Sequence, residues 1–165
     1  MNLRKLALTL HVIASASWIG AVASFLALAV TGLVSPEIER VRASYAAMDL
    51  TYRWVVIPLG LASVATGLVS SLITEWGLFR YYWVLVKLLM TIPAVVLMLA
   101  HIQQAGYLAG TVAAAVFSSA ETTGLRIQLI AYACAALLVL VAATVLSTYK
   151  PRGRTANGAP ARTAR

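Results

Sequence analysis

Four long apolar runs dominate this chain, at about 6–33, 53–74, 82–104 and 126–148. Each reaches the roughly 20 mainly apolar residues that carry a helix across a bilayer. Helices satisfy their own backbone hydrogen bonds, which hydrocarbon cannot do for them. The pattern predicts an all-α fold, an antiparallel four-helix transmembrane bundle, with residues 1–150 as one four-span membrane domain. The first run opens on Arg4 and Lys5 and holds Ala14-Ser15-Ala16, in the manner of a cleaved signal. It stays apolar from Trp18 to Leu33, however, and is expected to remain as a span.

The connections carry their own signals. Residues 34–51 read as helical: Ser35 can cap, Pro36 suits the first helical position and Glu37 suits the N-terminal dipole. Glu37 with Arg40, and Glu39 with Arg42, are three apart and can pair on a helix surface. This helix can run straight into the second span. The short link 75–80 makes spans two and three antiparallel neighbours. Around it, Trp76, Tyr81 and Tyr82 read as an interfacial aromatic belt. Residues 105–125 are alanine-rich but broken by Gly106, Gly110 and Gly124, which predicts a short helix at the surface or over the bundle mouth. Residues 151–165, rich in Pro, Gly, Arg, Thr and Ala, predict a disordered basic tail on the cytoplasmic side.

Composition agrees: 61% hydrophobic and 11% charged is too apolar for a soluble domain. The net charge of +8 does not point to nucleic acid, because five of the thirteen basic residues are Lys150, Arg152, Arg154, Arg162 and Arg165, without interleaved aromatics. Basic residues that flank spans are held on the cytoplasmic side. Arg4, Lys5, Arg80 and the tail all fall on one side of a four-span chain, so both termini are expected in the cytoplasm. The expected location is a cell (plasma) membrane, crossed several times, with the lipid bilayer as first partner. Cys134, alone in span four, permits no internal disulfide and reads as a small buried residue.

Inside these spans the ionisable residues stand out, because such groups are costly in hydrocarbon and turn toward a bundle interior. His11, Ser15 and Trp18 share one face of span one. Lys87, Thr91, Ala94, Met98 and His101 form a stripe on span three. His11 and Lys87 each lie about five residues inside the same end, roughly 8 Å deep at 1.5 Å per residue. His101 lies near the far end of span three, more than ~20 Å from His11, so the two histidines cannot clamp one metal or haem iron. An inner cluster is expected from His11, Ser15, Trp18, Trp83 and Lys87, with Ser70 and Ser71 nearby. An outer cluster is expected from Arg53, His101, Gln103 and Gln104, where Arg53 could hold a carboxylate. Each group also has a plain structural role open to it. Lys87 can snorkel to the interface, His11 can bond a neighbouring helix, and Arg53 and His101 can be solvated. Gly20, Gly32, Gly60 and Gly67 are expected at close helix contacts. No span holds a pair of acids, which argues against carboxylate acid–base chemistry.

His11-Val-Ile-Ala-Ser-Ala-Ser-Trp18 resembles the first helix of the small bacterial four-helix protoporphyrinogen IX oxidases (HemJ type) and the membrane domain of copper-resistance D-type (CopD) proteins. Arg53 ahead of Pro58 and Thr66-Gly67, and Trp83-Val-Leu-Val-Lys87, extend the resemblance over about residues 8–101. The closest overall likeness is to uncharacterised bacterial four-helix integral membrane proteins, which implies a bacterial inner membrane. The resemblance implies a haem or porphyrin cofactor, with His11 as metal ligand or polar contact, Lys87 paired to a propionate or other anion, and Trp18 and Arg53 as further binding residues. The chain departs from the oxidases at Ser24-Phe25-Leu26-Ala27-Leu28, where they carry Leu-Pro-Arg, so a porphyrin site is carried over more readily than the oxidase reaction. The alternative is a non-enzymatic accessory or scaffold protein that binds a membrane partner or a second copy. An ion-coupled carrier ranks third, because no repeat or broken-helix pair is visible.

Overall fold

The computed structural model describes residues 3–73, 81–101, 103, 106–107, 110 and 120–149. Within them run α1 (Leu3–Val34), α2 (Ile38–Thr51), a π-helical turn (Tyr52–Val56), α3 (Ile57–Ile73), α4 (Tyr82–Ala100) and α5 (Ala120–Tyr149). Four stretches are long and apolar enough to cross a membrane: Leu3–Val34, Ile38–Ile73, Tyr82–Ala100 and Thr123–Tyr149. The protein is a small integral membrane protein built as a four-helix bundle. Trp76, Arg80, Gln104, most of the segment expected to cover the bundle mouth, and the basic tail lie outside the described residues.

The second span continues from α2 without a break over 36 residues, as expected for the connection 34–51. At 1.5 Å per residue it is about 54 Å long, well beyond a ~30 Å hydrocarbon core, so one end projects. Its N-terminus starts slightly later than read. Glu37 is the N-cap, and Ser35 Oγ accepts from the Glu37 backbone N–H at 3.3 Å. Both expected surface pairs form, Arg40–Glu37 at 3.0 Å and Arg42–Glu39 at 3.5 Å. The π-helical turn has a local cause. Pro58 offers no N–H and its ring crowds the carbonyl four residues back. The helix widens just ahead of it, and the Ile57 N–H reaches the Tyr52 carbonyl five residues away.

Contacts between side chains fix the directions. His11 meets Gly67, Trp18 meets Gly60, and Gly32 meets Tyr45, so α1 runs antiparallel to the α2–α3 span. Lys87 reaches Ser147, and His101 stacks on Tyr132, so α4 and α5 are antiparallel too. Around the bundle the order is α1, α3, α4, α5, with α1 and α4 on a diagonal. Helices pack in membranes by close approach at small residues. Gly60, Ser63, Gly67 and Ser70 repeat every three or four positions along α3 and give α1 that approach. A Cβ at Gly60 would stand 3.0 Å from the Trp18 ring, and one at Gly67 would stand 2.9 Å from His11 Cε1. Gly32 lies equally close to the Tyr45 ring, 2.9 Å from where its Cβ would be. Gly20 differs from expectation: nothing lies within 4 Å of it, because it is on the outward face. Cys134 also differs and is exposed, since its face of α5 turns away from the core.

Candidate functional site

At one end of the bundle all four spans deliver a polar side chain to the axis. His11 comes from α1, Ser63 and Thr66 from α3, Lys87 from α4 and Ser147 from α5. His11 Nδ1 lies 3.0 Å from the Ser63 carbonyl. A carbonyl can only accept, so Nδ1 carries the proton and donates. The same N–H also faces Thr66 Oγ1 at 3.3 Å, whose own hydroxyl donates to the Ala62 carbonyl at 2.6 Å. These bonds fix the ring and leave Nε2 as an acceptor. Lys87 Nζ donates to Nε2 at 3.2 Å and to Ser147 Oγ at 2.8 Å. Ser147 passes its own proton to the Ala143 carbonyl at 2.9 Å.

The matched depth expected of His11 and Lys87 is thus a direct contact. Lys87 turns inward rather than snorkelling, and no carboxylate among the described residues pairs with it. Its ammonium has three protons and two neutral partners. One turn further along α1, Ser15 and Ser63 share a hydrogen bond at 2.8 Å. Ser70 is buried on the same small-residue stripe, while Ser71 donates to its own helix at Leu68. Trp18 lies seven residues from His11, about 10 Å along α1, and is only 3% exposed.

At the opposite end, Arg53 and His101 of the expected outer cluster each bond within their own helix. Arg53 donates to Asp49 Oδ1 at 2.8 Å, one turn back on its own helix, with Gly106 beside its guanidinium. His101 Nδ1 donates to the Leu97 carbonyl at 2.7 Å and its ring packs on Tyr132 at 4.5 Å between centroids. His101 is fourteen residues along α4 from Lys87, about 21 Å, which keeps it away from His11.

No protein-family model, curated protein or solved structure matches the chain.

Chemically, the centre offers one imidazole with a directed lone pair and one ammonium. An imidazole whose Nδ1–H is held by a carbonyl is oriented to give Nε2 to a metal or a proton. The ammonium suits a carboxylate or another anion. Among the described residues no cluster of three or more His, Cys, Asp or Glu side chains could hold a metal ion. A haem brings four nitrogens and two carboxylates, and in donor chemistry His11 and Lys87 fit it. Ser147 and Ser63 escaped the sequence reading, and Thr66 entered it only as part of the resemblance. Ser63 had a signal, the repeat it shares with Gly60 and Gly67. Ser147 had none, since it sits among other hydroxyls near the end of span four.

Proposed function

We propose that this membrane protein binds a haem- or porphyrin-type ligand at the His11–Lys87 pair. The reading is carried by the contact between these two side chains, with His11 Nδ1–H engaged and Nε2 presented as an acceptor. Nε2 is the atom offered to a metal, and Lys87 is the cation for a propionate. The two uses compete for one lone pair. With such a ligand bound, His11 Nε2 would hold the metal and the Lys87 ammonium would pair with a carboxylate, in place of the hydrogen bond between them. Ser63 and Thr66 hold the imidazole in one tautomer throughout. Bound haem supplies redox chemistry. The chain's own residues bind and orient it, and Arg53 plays no part at this end. The excess of flanking Lys and Arg supports both termini, and so this end of the bundle, being cytoplasmic.

Protein purified from haem-supplied cells should show a Soret absorption band that disappears in His11→Ala. Colourless wild-type protein, folded and stable, would contradict the proposal.

A second reading has its own support. The clasp is already hydrogen-bonded across all four spans, which is what an accessory or scaffold protein needs to hold a unique packing. On that reading, removing His11 lowers stability and changes no spectrum, and the protein co-purifies with a membrane partner or a second copy.

A further inference from the structure

Beyond Trp18 the bundle axis opens into a cavity of about 70 Å³, between α1, the π-helical turn, α4 and α5. Its walls are mostly apolar, including Val22, Phe25 and Leu129. Four lining residues have polar atoms, and their existing bonds leave each with a definite capacity. Trp18 Nε1–H is buried, with almost no surface that water can touch, and has no hydrogen-bond partner among the described residues. Tyr52 Oη donates to the Met98 carbonyl at 2.5 Å and keeps its lone pairs. Tyr132 Oη accepts from Gln128 Nε2 at 2.7 Å and keeps its proton. His101 donates through Nδ1, so Nε2 is left to accept. Tyr52, Tyr132 and His101 thus keep one donor and two acceptors among them at the cavity lining.

We propose that this cavity is an aqueous chamber, reaching from the membrane interface at His101 to Trp18 midway along α1. Its ligand is water. A site needs two to four polar partners to hold a water, and each water occupies about 30 Å³ in the liquid, so there is room for about two. Along α4 the chamber runs from Ala94 to His101, about 10 Å. It lies toward the opposite end from the His11–Lys87 pair, and Trp18 and the Ser15–Ser63 bond lie between the two. Water and protons thus reach the bundle centre from one side while the polar clasp stands at the other. The chamber does not depend on what the pair binds.

The test is deuterium exchange at the Trp18 indole in ¹⁵N-tryptophan-labelled full-length protein in nanodiscs, with the resonance assigned by Trp18→Phe. Wild-type Trp18 should exchange within about an hour of transfer to D₂O at neutral pH. Narrowing the chamber by Ala133→Leu, or independently by Ala136→Leu, should slow that exchange at least tenfold in whichever variant folds. A Trp18 signal that persists for days in the wild type means a dry cavity and overturns the proposal, as does exchange that neither leucine slows. The readout needs no ligand at His11, so it fails or succeeds separately from the porphyrin reading.

Discussion

The bundle turns a cation inward near each end, Arg126 buried and Lys87 half-buried, and the two are held in opposite ways. Arg126, 9% exposed, donates through Nε to Tyr45 Oη at 2.7 Å and through Nη2 to the carbonyls of Gly32 and Leu33. Those carbonyls belong to the last turn of α1, where the helix dipole is negative and the acceptors lack helical partners. The guanidinium also stands 5.6 Å from the centre of the Tyr45 ring. Its charge meets fixed dipoles, and it ties α1, α2 and α5 together. Lys87, at the other end, meets an imidazole and a hydroxyl, both neutral side-chain groups. A charge satisfied by a helix terminus is architecture. A charge satisfied by two neutral side chains, with no fixed dipole or carboxylate bonded to it among the described residues, can take an anion in their place.

If that contrast is correct, Arg126→Met has the largest effect on stability. It strands a buried tyrosine hydroxyl and two helix-end carbonyls, and should cost about 3 kcal/mol in an unfolding titration in mixed micelles. Gly67→Leu comes next. Its side chain would strike the His11 ring, and overpacking of this kind costs about 2 kcal/mol. It should also remove any ligand spectrum, because the imidazole is displaced from Lys87. Lys87→Met should change stability by less than about 1 kcal/mol, since it removes the desolvation cost of a charge along with two hydrogen bonds. A loss as large as that of Arg126→Met would make the two ends alike and break the comparison. Smallest is Glu37→Gln, which deletes an exposed ion pair worth about 0.5 kcal/mol or less.

The two ends also differ in how far they could be read from residues alone. The His11–Lys87 meeting follows from counting along two parallel spans, because a straight helix converts residue number into depth. Arg126 could not be found so. In the chain it stands at the start of an apolar run and reads as a charge of the connection. It is buried only because α1 and the α2–α3 span both extend far enough to flank it. Tyr45 belongs to a segment read as a solvated surface helix, yet one face of it carries Val41, Tyr45 and Met48, the most buried side chains of the core. Charge pairs at Glu37 and Glu39 marked its exposed face and hid the other. The fold class was legible because hydrocarbon demands it. Cys134 and Gly20 were not, because which face of an all-apolar helix turns inward depends on its neighbours.

The central claim is that His11 and Lys87 act as one binding unit distinct from the structural cation at Arg126. Titration of nanodisc-embedded protein with haemin and with metal-free protoporphyrin, followed by absorbance and fluorescence, separates the roles. The account predicts that His11→Ala weakens haemin binding at least tenfold more than protoporphyrin binding. It predicts that Lys87→Met weakens both by similar factors, and that folded Arg126→Met binds both as the wild type does. Equal binding of haemin by wild type, His11→Ala and Lys87→Met, or no binding by any, would contradict it.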